Sequence, residues 1–152
     1  VLRLLSVEHC RQTERSGCLA ACVQMALQHI GIIQSQANLN RLFGLRPEGT
    51  PSSRVQRLGT IGVEVVYASG DELALREAID RGVPPIIFVD TGELPYWGVR
   101  LRHAVLMVGY DEQNVYLNDP DQATAPVMAT WGDLMLAWSE FDYRYTLILS
   151  KQ

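Results

Sequence analysis

The stretch HAVLMVGYDEQNVYLNDP, residues 103–120, decides how this chain is read. Residues 103–110 and 115–119 are short apolar runs, and Asp111 to Asn114 between them is turn chemistry, so the segment reads as an antiparallel hairpin. Its polar residues sit at the open end: His103 begins the first strand, and Asn118, Asp119 and Pro120 close the second. Register selects the partner of His103, because a slip of one residue moves every side chain to the other face. With a three-residue turn, Asp111 to Gln113, Tyr110 opposes Asn114, Met107 opposes Leu117 and Val105 opposes Asp119. His103 and Asp119 are then diagonal neighbours above an apolar floor of Val105, Met107, Val115 and Leu117. A two-residue or four-residue turn puts Asn118 there instead, above Tyr116 and Gly109. The apolar match favours the first register; a bulge would defeat the argument.

Outward from the hairpin, the second half of the chain mixes strand and helix. Residues 62–67 and 145–149 read as strands, and Pro85 to Val89 as a buried one. Asp71 to Arg81 reads as an amphipathic helix ended by Gly82, and Trp131 to Ser139 as a further helix. Thr91 to Arg102 is a loop that runs directly into His103. The first half is helical: Gly17 to Ile30, Ser35 to Phe43, and Pro51 to Thr60, the last with Ser52 or Ser53 as its cap. Helices first and neighbouring strands after favour an α+β fold, with the helices packed on one side of a mostly antiparallel sheet. The expectation is one domain over 1–152, helical to about residue 60 and sheet beyond.

Composition narrows the function. The 152 residues carry a formal charge of −4, one lysine (Lys151) and scattered arginines. Nonspecific nucleic-acid binding needs clustered cations, so it is excluded, as is a polybasic membrane anchor. The longest strongly apolar run, Pro84 to Val89, is far short of the ~20 residues a membrane-spanning helix needs. The first residues do not read as a signal peptide, and a chain starting at Val1 reads as a processed or excised piece. Three cysteines give no disulfide framework and point to a reducing compartment, hence a cytoplasmic or cytoplasmic-facing location.

The cysteines raise the question of a reactive thiol. Cys18 falls in the first turn of the 17–30 helix, where unpaired N–H groups and the helix dipole stabilise a thiolate. A small buried apolar residue is the competing reading, and position alone does not separate the two. Cys22, one turn further in, reads as core, and core is also the default for Cys10. A zinc site is disfavoured, since Cys10, Cys18 and Cys22 lack paired ligands at short spacing. Gln12, six residues before Cys18, has an amide able to donate to an oxyanion, with the Cys18 backbone N–H as a second donor. His103 is the candidate base; His9 and His29 are weaker ones, in the approach segment and at the far end of the helix. Tyr96 and Trp97 either pack a substrate chain at the mouth of the cleft or cover the sheet.

In this order the pieces resemble a papain-like cysteine peptidase, specifically the bacteriocin-processing, double-glycine leader peptidase family and its free-standing relatives. The resemblance rests on Gln12, Gly17-Cys18-Leu19-Ala20-Ala21-Cys22, and the segments at 49–52, 82–89, 103–111, 115–120 and 138–141. It implies a papain-like fold with Cys18 as nucleophile, His103 as general base and acid, Asp119 orienting His103, and Gln12 in the oxyanion hole. It further implies thioester chemistry without metal or organic cofactor, on an extended peptide or protein substrate with small residues, such as Gly-Gly, before the cut. Two departures stand out: Leu19 occupies a place where many relatives have Gly, and no transporter segment is present. The competing functions are a catalytically weak peptide-binding module, an amidase or acyltransferase using the same thioester, and a structural or redox domain built on the three cysteines.

Overall fold

A computed structural model describes residues 1–151. In chain order its elements are β1 (Arg3–Leu4), α1 (Cys18–His29), α2 (Gln36–Phe43), a 3-10 segment (Ser52–Ile61), β2 (Val63–Ser69), α3 (Glu72–Asp80), β3 (Ile86–Asp90), a 3-10 turn (Thr91–Glu93), β4 (Arg102–Tyr110), β5 (Asn114–Asn118), β6 (Val127–Thr130), α4 (Trp131–Ser139) and β7 (Arg144–Ser150). The strands form one sheet in the order β2-β7-β3-β4-β5-β6, with β1 added on β4, and every pairing is antiparallel. The architecture is α+β, as the hairpin and its surroundings imply.

Both faces of the sheet are covered. Leu19, Val23, Met25 and Leu27 of α1 pack with Phe43 of α2 and Leu58 onto Ile86, Phe88, Ala104, Leu106 and Val108. On the opposite face Leu75 and Ile79 of α3 and Leu134, Ala137 and Trp138 of α4 pack onto Ile87, Val89, Val105 and Met107. The expectation of helices on one side only is therefore corrected. Central β3 and β4 are apolar at successive positions, and such strands need a layer on each face. The first-half helices take one face and the later ones the other. Residues 52–61 adopt 3-10 rather than α geometry. Their two Ser, Gly59 and Thr60 are poor helix formers, and Gly62, at φ 86°, ends the segment. β6 and β1 went unread because four and two residues are too short to display a period.

The decisive hairpin has the expected register at its open end only: the three-residue turn and the pairing of Tyr110 with Asn114 are corrected. Tyr110 opposes Val115 and Gly109 opposes Tyr116, the pairing of an even-numbered turn; then Met107 opposes Leu117 and Leu106 opposes Asn118. Val108 is the extra residue of a β-bulge. The turn alone would have put Asn118 beside His103, and the bulge shifts the open end by one so that Asp119 arrives there. The floor of Val105, Met107, Val115 and Leu117 is buried as a unit. β1 lies along the same stretch: Leu4 pairs with Gly109, and Leu5 N–H donates to Val108 O at 2.7 Å.

Gly109 is required by that contact. A Cβ there would stand 2.5 Å from Arg3 O and 2.8 Å from Leu4 Cδ1. Gly109→Ala is expected to push β1 off the sheet at a cost of about 1–3 kcal/mol. Chemical denaturation reads the loss, and amide exchange should localise it to residues 3–5 and 108–110.

Candidate active site

The polypeptide before α1 is laced to the turn after β5, and this brings the two halves of the site together. Gln12 N–H donates to Pro120 O at 2.9 Å, His9 Nε2 contacts Gln122 O at 2.7 Å, and Asn118 Nδ2 donates to Val7 O at 3.3 Å. Cys18 follows as the first residue of α1. Its N-cap, Gly17, offers no side-chain acceptor, and no acidic residue lies in the first turn. The other helices are capped: Ser35, Asp71 and Thr130 each accept a backbone N–H three residues on. The start of α1 thus keeps its N–H groups free, and an anion beside Cys18 meets unpaired donors and the positive end of the dipole.

His103 and Asp119 meet as the bulged register requires. The His103 Nε2 group donates to Asp119 Oδ1 at 2.6 Å, and the two residues are 8% and 0% exposed. Nδ1 is left for Cys18, which lies close enough to raise the proton affinity of the imidazole. Burial alone would favour the neutral ring, but Asp119 and Cys18 outweigh it and raise the His103 pKa to about 10. Burial likewise opposes the Asp119 charge, yet its bonds to His103, Trp97 and Tyr96 hold it below the ordinary carboxylate range. Four donors converge on that carboxylate: His103 and the Asp121 N–H (2.9 Å) on Oδ1, Tyr96 Oη (2.7 Å) and Trp97 Nε1 (3.0 Å) on Oδ2.

Cys18, His103 and Asp119 therefore lie together. Gln12 is placed differently: its Nε2 donates to Glu14 O at 3.1 Å and Arg15 O at 2.8 Å, closing the turn that leads into α1, while Oε1 is buried without a partner. A shallow cavity of about 360 Å³, lined by the 11–15 turn, Pro120 and Asp121, lies on this side. Tyr96 and Trp97 turn their polar atoms inward to Asp119, a task the sequence reading did not assign them. A Tyr-Trp pair six residues ahead of a candidate base was the available signal, but it does not reveal where the two donors point. Cys22 is wholly buried, and burial pushes its thiol well up, so it stays neutral. All three cysteines are free thiols. His29 contacts Gly82 O and sits apart from the site. Among the described residues no three His, Cys, Asp or Glu side chains cluster as metal ligands, and no helix is long and apolar enough to cross a membrane.

Residues 4–148 match the Peptidase_C39 like family, and the chain belongs to it. Solved structures agree on the fold. A C39-like peptidase from Bacillus anthracis superposes with TM-score 0.81 at 19% identity, covering 100% of this chain and 99% of the other. The peptidase domain of Streptococcus ComA, a bi-functional ABC transporter involved in a quorum-sensing pathway, gives 0.77 at 20% identity, covering 95% and 98%. A double glycine motif protease from an AMS/PCAT transporter, in complex with its leader peptide, gives 0.76 at 17% identity, covering 97% and 94%. No curated protein sequence matches the chain significantly.

The ion pair sets a pH window for stability. A raised His103 pKa contributes stability that is fully present below the ordinary 6.5 and is lost as pH rises through about 10. A lowered Asp119 pKa contributes stability present above the ordinary 3.8 and lost as pH falls through the depressed value. The pair is thus at full strength between roughly pH 4 and 6.5. Thermal melting of wild type against pH should weaken on either side of that range, and Asp119→Ala should lose at least ~3 kcal/mol within it.

Proposed function

We propose that the chain is a cysteine peptidase with Cys18 as nucleophile, His103 as general base and acid, and Asp119 as the residue that orients His103. The observation that carries this reading is the buried His103–Asp119 bond, 2.6 Å long, which leaves the other imidazole nitrogen for a cysteine at an uncapped helix start. Proton transfer from Cys18 to His103 makes a thiolate–imidazolium pair. The sulfur attacks the scissile carbonyl carbon; a C–S bond forms and the carbonyl electron pair moves onto oxygen. The unpaired N–H groups at the start of α1 stabilise that charge. The oxyanion collapses, the C–N bond breaks, and the imidazolium proton goes to the leaving amine. Water then adds to the thioester and gives its proton to His103. The C–S bond breaks, releasing the acid. No step requires a metal or organic cofactor.

Gln12 joins the oxyanion hole in this reading by exchanging one of its bonds to Glu14 O or Arg15 O for the developing charge. Its present bonds are also what favours the second reading, a catalytically weak module that binds peptides on the same fold. The substrate we propose is an extended peptide with small residues before the cut, in line with the double glycine motif protease whose fold this chain shares.

The test is cleavage of synthetic peptides carrying Gly-Gly, with bulky replacements as controls, followed by mass spectrometry. Cutting after the second Gly is expected, abolished in Cys18→Ala and lowered ~10²–10⁴-fold in His103→Ala. Gln12→Ala should lower kcat by ~10²-fold with little change in KM. Binding of these peptides without any cleavage, at every peptide tried, would contradict the peptidase reading and support the binding module.

A further inference from the structure

The loop between β3 and β4 delivers two neighbouring side chains to one oxygen atom. Tyr96 Oη and Trp97 Nε1 both donate to Asp119 Oδ2, while His103 takes Oδ1. The Trp97 ring also meets the His103 ring edge-on, with centroids 5.0 Å apart at 64°. We propose that Tyr96 and Trp97 are positioning residues of the catalytic site, clamping Asp119 and the His103 ring so that Nδ1 faces Cys18. The inference rests on the peptidase reading.

A carboxylate held through a single oxygen can swing about its own side-chain bonds. Two donors on Oδ2, with the Asp121 N–H on Oδ1, fix its plane. Both side-chain donors are neutral, so they stabilise the carboxylate's charge without replacing His103 as its only cationic partner. Burial, the charge of Asp119 and the hydrogen bond to it all hold the Tyr96 hydroxyl protonated, so it stays a donor across the working range. His103 from β4 and Cys22 from α1 also feel the charge of Asp119, Cys18 lies beside Cys22, and Asp121 on the following turn meets the carboxylate through its backbone N–H.

The loop that carries the clamp is itself braced. Thr91 is fully buried; its Oγ1 donates to Val99 O and accepts from Leu101 N–H, both at 2.7 Å, and its own N–H donates to Leu101 O. Arg100 bridges Asp90 at 2.5 Å and Glu93 at 3.2 Å. A loop tied at its base in this way holds its donors at a fixed height over the hairpin end. The orientation of His103 therefore depends on residues outside the triad.

Removing either donor raises the proton affinity of Asp119, and a protonated Asp119 no longer supports the imidazolium. The experiment is the rate of Cys18 alkylation by iodoacetamide against pH, read by mass spectrometry, in wild type, His103→Ala, Tyr96→Phe, Trp97→Phe and the double variant. The acid limb of Cys18 reactivity should move to higher pH in each single variant and further in the double one. Peptide cleavage should fall by about tenfold per donor, mainly in kcat. Tyr96→Phe removes only the hydroxyl, so a role in packing alone leaves its limb where it is; Trp97→Phe removes the donor together with part of the ring that meets His103, and is read beside it. Should one variant not fold, the other carries the test. Profiles that superimpose on wild type in a folded variant overturn the inference while leaving the peptidase reading standing. A wild-type Cys18 with no His103-dependent reactivity overturns both.

Discussion

Asp119 is an ionised carboxylate with no exposure to solvent, and much of this structure follows from what that demands. A buried charge without partners is costly enough to be protonated instead. Here His103, Tyr96, Trp97 and the Asp121 backbone each supply a hydrogen bond, from β4, from the loop before it and from the turn after β5. Satisfying one side chain thus ties three segments to a single point. Because the charge is kept, it is available to hold a proton on the imidazole opposite Cys18.

The two ends of the site are prepared in opposite ways. At the carboxylate every acceptor position is filled. At α1 the donors are left open, in contrast to α2, α3 and α4, whose first turns are closed by Ser35, Asp71 and Thr130. A cap at Gly17 would stabilise α1 by ~1 kcal/mol and would compete with any anion formed beside Cys18. The helix itself can go without a cap because its apolar residues from Leu19 to Leu27 are almost all buried between the sheet and α2. Tertiary packing carries its stability, so its N-terminus is free for chemistry.

The helix that presents Cys18 and the hairpin that joins His103 to Asp119 were legible in the sequence because their apolar patterns are long enough to show a period. The register holds at the open end of the hairpin and fails at the turn, where Tyr110 faces Val115 and not Asn114. The apolar floor selected Asp119, but the turn is even-numbered and Val108 makes up the difference, and a bulge leaves no mark on composition. The second layer of helices was hidden because periodicity states which face of α3 or α4 is apolar and not which side of the sheet it will cover. Tyr96 and Trp97 were visible as residues of interest, yet their contact with Asp119 spans more than twenty positions and depends on how the loop is tied at Thr91 and Arg100. The bonds of the Gln12 amide to Glu14 and Arg15 are local, but they follow from the shape of a turn that has no regular pattern.

In the proposed mechanism Asp119 keeps His103 charged so that it can stabilise a thiolate at Cys18. Nitrogen-15 NMR of the His103 imidazole across a pH titration reads this directly. The imidazole is expected to be protonated at both nitrogens at neutral pH, to lose its proton only near about 10, and to titrate lower in Cys18→Ala, which removes the sulfur that becomes its thiolate partner. A ring that is neutral at pH 7 and titrates near the ordinary 6.5 would contradict it.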